Sequence, residues 1–118
     1  MSNQMSKDSV SALLTNQNRC VSNTSVIDGV MYLFGNDIMR LQNNDLYIRI
    51  VYPSRTTMER INCLSNYGYN VHLVQRKGEL YLNGKLINDY KEWIKVNKEQ
   101  YLLTTQLLYI KLCNRLHN

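Results

Sequence analysis

The sequence predicts an α+β fold, a small antiparallel sheet (meander plus hairpin) covered by one short helix and a long C-terminal helix. Three observations carry that expectation. Short runs of alternating apolar and polar residues recur between residues 29 and 87, separated by turn dipeptides, with Asn83-Gly84 the strongest hairpin signal. Residues 56–68 read as a capped helix with a glycine stop, and the last stretch is apolar almost all round at helical spacing.

The first 25 residues are rich in Ser, Asn, Thr and Gln. Asp8 is placed to cap one short helix carrying Val10, Leu13 and Leu14, and residues 1–25 are expected to be mobile or loosely docked. Residues 26–118 form the single α+β domain. Its first strand is 29–34, followed by a Gly35-Asn36 turn and a second strand at 37–42. Asn43-Asn44 suits a two-residue hairpin because Asn tolerates positive φ. Residues 46–52 complete the meander, with Leu46, Ile48, Ile50 and Tyr52 on one face and Tyr47, Arg49 and Val51 on the other.

Pro53 ends that strand because it cannot donate to a ladder. Thr56 through Glu59 reads as a capping box, with Thr56 at the N-cap. The helix then places Met58, Ile61 and Leu64 on one face, points Arg60 elsewhere, and stops at Gly68. Residues 69–76 alternate again. Lys77-Gly78 turns the chain into 79–82, and Asn83-Gly84 leads to a short last strand at 85–87. Asp89 through Glu92 reads as a further capping box, opening a helix with Trp93, Ile94 and Val96. Residues 101–116 form the terminal helix.

A chain of 118 residues has room for one domain and one core. At 44% apolar and 19% charged it is a globular composition, which excludes a wholly disordered chain. The net charge of +5 is uneven: residues 1–39 sum to −1, residues 40–87 to +4 and the remainder to +2. Excess positive charge attracts polyanions or acidic protein faces, and it also keeps a chain soluble. Cys20, Cys63 and Cys113 are far apart, with no C-x-x-C and no Cys–His spacing that suits zinc, so a reduced intracellular setting and no metal or other cofactor are expected. The N-terminus lacks a signal peptide's apolar run, and no stretch is long and apolar enough to span a membrane.

No catalytic residue is assigned. Cys63 and His72 lack a third group to orient the imidazole, and Glu59, Glu79 and Glu92 have no paired spacing for acid–base work. What remains is a basic, tyrosine-bearing constellation: Arg49, Arg55, Arg60, Arg76, Lys77 and Lys85 with Tyr47 and Tyr81. Arg binds phosphate in a bidentate manner and Tyr stacks on bases, so a sheet carrying both suits single-stranded nucleic acid or an acidic partner surface. The same residues also suit an ordinary solvated sheet face. In the terminal helix Leu108, Leu112 and Leu116 make one ridge, expected to pair two copies of the chain as a homodimer.

Residues Arg55-Thr56-Thr57-Met58-Glu59-Arg60-Ile61-Asn62, with Gly68-Tyr69-Asn70-Val71 and the run from Arg76 to Asn83, resemble small accessory proteins encoded by bacteriophages. The resemblance spans about residues 46–83. It implies a phage gene expressed in the bacterial cytoplasm and carries over no site residue. With 15 Asn, and Tyr as nine of the eleven aromatics, the composition agrees with that origin. The expected function is non-enzymatic: stoichiometric binding to a host protein, as an inhibitor or modulator of a defence or nucleic-acid machine. The alternative is a single-stranded nucleic-acid-binding module.

Overall fold

The computed structural model describes residues 3–98. These residues form helix α1 (Gln4–Leu14), strands β1 (Arg19–Val21), β2 (Thr24–Ile27), β3 (Val30–Leu33), β4 (Asn36–Gln42) and β5 (Asp45–Ile48), helix α2 (Arg55–Asn62) continued by a 3-10 turn (Cys63–Tyr67), then β6 (Leu73–Arg76), β7 (Glu79–Leu82), β8 (Lys85–Ile87) and β9 (Ile94–Val96). The fold is α+β, as expected, but the sheet is larger. Strands β1 to β5 form a meander that β9 extends at the β5 edge, giving six antiparallel strands, and β6-β7-β8 form a second sheet.

Hairpin chemistry explains the meander. Asp28-Gly29, Phe34-Gly35, Asn43-Asn44, Lys77-Gly78 and Asn83-Gly84 each hold two successive residues at positive φ, the primed turn that matches strand twist. At Gly29 the turn also needs the missing side chain, since a Cβ would lie 3.0 Å from the Leu41 carbonyl oxygen.

One face of the large sheet is core. Val26, Met31, Met39, Ile48 and Ile94 stand in register across five strands, and Leu41, Leu46 and Val96 form a parallel row. The two helices cover this face, α1 against β2 and β3 and α2 against β4, and α2 also reaches β6. Val10, Leu13, Ile61 and Leu64 enter the core completely, with Leu73 and Leu80 from the second sheet.

Several expectations are corrected. In the N-terminal segment, α1 buries Ser6, Ser9, Val10, Ala12 and Leu13. Its cap is Asn3, which accepts from the Ser6 amide at 2.8 Å, and Asp8 instead pairs with Arg19 at 3.4 Å. Ser54, not Thr56, caps α2 by accepting from the Thr57 amide at 3.1 Å. Glu59 is thereby free to pair with Arg55 at 3.4 Å and to accept from Asn3 Nδ2 at 3.1 Å. Tyr52 lies outside the strand, is 70% exposed and does not share the buried face of Leu46 and Ile48. Residues 94–96 are strand rather than helix: two β-branched residues flank Lys95, and pairing with β5 buries Val96. The expected terminal helix at 101–116, with Leu108, Leu112 and Leu116, lies outside the described residues.

Arg60 is the largest departure. It points into the fold and is 3% exposed. Its Nε donates to Thr24 Oγ1 at 3.2 Å, Nη1 to Ser6 Oγ at 2.6 Å and Nη2 to Asn23 Oδ1 at 3.5 Å. Burial pushes the guanidinium below its ordinary pKa, and the nearby Glu59 and Cys63 oppose that shift. Arg60→Ala should lower unfolding free energy by roughly 3 kcal/mol, because Ser6 and Thr24 lose their partner and a cavity opens. Urea titration of the two proteins measures this, and a loss under about 1 kcal/mol would refute the assigned role.

Burial also raises the phenol of Tyr69 above its ordinary value. Ionisation is then harder in the folded chain than in the unfolded one. The resulting stability is present below about pH 10, the unfolded phenol value, and is lost as pH rises through the higher folded value. Urea midpoints should therefore fall more steeply above about pH 10 in the wild type than in Tyr69→Phe.

Candidate binding surfaces

The face of the large sheet opposite the helices holds the first candidate surface. Register places Arg40 of β4, Tyr47 of β5 and Lys95 of β9 side by side. Arg49, immediately after β5, donates through Nε to the Asp37 carbonyl at 2.9 Å and forms an ion pair with the Asp37 carboxylate. Arg40 reaches the second oxygen of that carboxylate at 3.7 Å. Both guanidiniums lie over Trp93, at 5.0 Å for Arg40 and 4.8 Å for Arg49. Lys95 pairs with Asp45 at 3.5 Å. Three cations, two carboxylates, a Trp and a Tyr thus share this face.

The second surface is apolar. Phe34 is 67% exposed at the tip of the β3–β4 hairpin, and Tyr52 is its counterpart after β5. Both line a groove of about 240 Å³, with Leu33, Ile38 and Val51 and the smaller polar residues Asn36, Ser54 and Thr57. Phe34 has φ +52°, a left-handed conformation that costs a bulky residue of the order of 1 kcal/mol.

The third runs between α2 and β6. It has a volume of about 580 Å³, and Arg55, Glu59, Asn62, His72 and Gln75 are among the residues that line it. Its polar lining contrasts with the groove beside Phe34.

The sequence-assigned residues divide among several places. Tyr47 and Arg49 are together on the large sheet. Arg76, Lys77 and Tyr81 meet around a depression of about 450 Å³ on the second sheet, where Glu79 accepts from Tyr81 at 3.3 Å. Lys85 is exposed, but register puts it on the opposite sheet face from Tyr81. Arg55, at the start of α2, is apart from the other assigned cations, its side chain 93% exposed and paired with Glu59. Arg60, buried as above, is removed from any contact surface. The sequence does not bring Arg40, Trp93 and Lys95 together, because the helical reading of residues 93–96 hides the pairing of β9 with β5 that carries Trp93 and Lys95 to Arg40. Nor does it single out Phe34, because its exposure depends on the hairpin tip.

The sequence profile of a family described as Kyanoviridae Gp96 protein matches residues 2–102. The chain belongs to this bacteriophage family. The expected phage origin is thereby established over most of the chain, well beyond the 46–83 stretch that suggested it. No curated protein and no solved structure matches the chain. Among the described residues no group of three His, Cys, Asp or Glu side chains could hold a metal ion, and no helix is long and apolar enough to cross a membrane.

The stack on Trp93 has a direct optical test, because Trp93 is the sole Trp. The Arg40→Ala, Arg49→Ala double variant should red-shift its emission and raise acrylamide quenching. Stability should fall by about 1–2 kcal/mol, the sum of two partly exposed cation–π contacts. Unchanged emission would mean that the guanidiniums do not shield the ring.

Proposed function

We propose that this family member acts without catalysis, in the bacterial host cell, by stoichiometric binding to a host protein as an inhibitor or modulator. The observation that carries the reading is the pair Phe34 and Tyr52, two largely exposed aromatics lining an apolar groove. Exposed aromatics beside a pocket have the composition of interface hot spots. Phe34 also holds a left-handed conformation in which Gly would be strain-free, so the position keeps an aromatic at a cost to stability.

Capture from host lysate with full-length wild type and with Phe34→Gly tests this. The variant should be more stable by up to about 1 kcal/mol, since Gly relieves the strain at positive φ, and should lose the captured partner. Retention of the partner by Phe34→Gly and by Tyr52→Ala would overturn the reading.

A second reading rests on the Arg40–Trp93–Arg49 stack with Tyr47 and Lys95: stacking and cationic groups on one sheet face suit single-stranded nucleic acid. It predicts capture that nuclease abolishes. It also predicts a salt dependence in which each phosphate contact contributes a slope of about −0.7 in log affinity against log salt. Trp93→Ala with Arg40→Ala should flatten that slope.

A further inference from the structure

We propose that the open edge of β6, together with the facing side of α2, takes an extended acidic peptide segment of a partner protein as an added strand. The inference rests on the protein-binding reading for the kind of partner and names a contact separate from Phe34 and Tyr52.

Among the described residues strand order leaves β6 an edge, paired only with β7. Asn62 of α2 reaches this edge. Its Oδ1 accepts from the Leu73 amide at 2.7 Å, and its Nδ2 donates to the Leu73 carbonyl at 2.9 Å. One carboxamide thus satisfies both backbone groups of one residue, as the peptide group of a neighbouring strand would. It also fixes the direction of the ladder. Leu73 turns its N–H and C=O away from β7, and so does Gln75 two residues on, because successive residues of an antiparallel strand alternate sides. The Gln75 backbone groups therefore face the groove, and no described residue bonds them there.

The groove beside that edge is walled by α2 on one side and β6 on the other. Arg55, Met58 and Glu59, on the first turns of α2, stand across from His72 and Gln75. A peptide laid along β6 continues the pairing that Asn62 begins, with its main chain on Gln75 and alternate side chains toward α2. Charge selects its composition. At the α2 wall Arg55 extends into solvent from its pair with Glu59, which also accepts from Asn3, and on the other face of the same edge Arg76 and Lys77 stand together at the hairpin tip. A peptide carboxylate turned toward α2 gains Arg55, one turned to the other face gains Arg76, and a cationic peptide would meet like charge on either side.

The test is an amide-shift titration of the ¹⁵N-labelled full chain. The probe is an acetylated, amidated hexapeptide of alternating Asp and Val. Saturable movement of the Gln75 and Asn62 resonances is expected, with slower hydrogen exchange at the Gln75 amide. Affinity should drop about tenfold, or vanish, for the same peptide with Lys in place of Asp and for the Arg55→Glu variant. Peptide N-methylated at the bonding positions should not bind. No saturable movement at millimolar peptide, or equal movement with the N-methylated peptide, overturns the proposal. So does a shift of Gln75 with protein concentration alone, which would assign the edge to a second copy of the chain. A failed titration beside Phe34-dependent capture would sink this inference and leave the protein-binding reading standing. The opposite pair of results would do the reverse.

Discussion

The guanidinium of Arg60 is the contact on which the packing of the two helices depends. It leaves α2, passes into the interior, and is held by Ser6 of α1, Thr24 of β2 and Asn23 in the turn before it. Three segments far apart in sequence meet at one side chain. None of these acceptors is a carboxylate, so the cation is solvated by neutral oxygens where an ion pair is more usual. Such an arrangement has little tolerance for slippage, because a helix displaced along the sheet would leave a buried charge without its donors' partners. Packed Leu and Ile would hold α1 and α2 against the sheet as well, but with weaker discrimination among registers.

The turns were the most legible part of the sequence. Asn43-Asn44, Lys77-Gly78 and Asn83-Gly84 each fix two φ values by local sterics, and the strands on either side follow. The alternation of Leu46, Ile48 and Ile50 survives as a buried face. What was not legible depends on a second segment. Thr56 reads as the cap in the sequence, but the side chain that accepts the Thr57 amide is that of Ser54, two residues earlier. Residues 94–96 have no helical or strand identity until β5 offers them a partner. The burial of Arg60 is not legible because its polar acceptors, Ser6, Asn23 and Thr24, lie far from it in sequence.

The same dependence on distant segments makes the candidate surfaces only half visible in the sequence. Counting cations gave one basic face. The fold distributes them: Arg60 inside, Arg49 and Arg40 sharing Asp37 over Trp93, Arg76 and Lys77 on another sheet, and Arg55 on a helix. Among the described residues the cations therefore do not form a continuous positive field. On the large sheet two carboxylates offset three cations, and what distinguishes that face is the aromatic ring under the guanidiniums.

Phe34 gives the argument for function its sharpest form. Four of the five paired left-handed turns begin with Asp, Asn or Lys, residues that polar turns commonly use. The fifth begins with a Phe that is largely exposed, and so gains little from burial to offset its strain. The neighbouring Gly35 already supplies what the turn needs at its second position. Nothing in the folding of the β3–β4 hairpin therefore calls for an aromatic at residue 34. A side chain that costs the free fold stability, and lines an apolar groove with Tyr52, is best accounted for by a state in which that groove is filled.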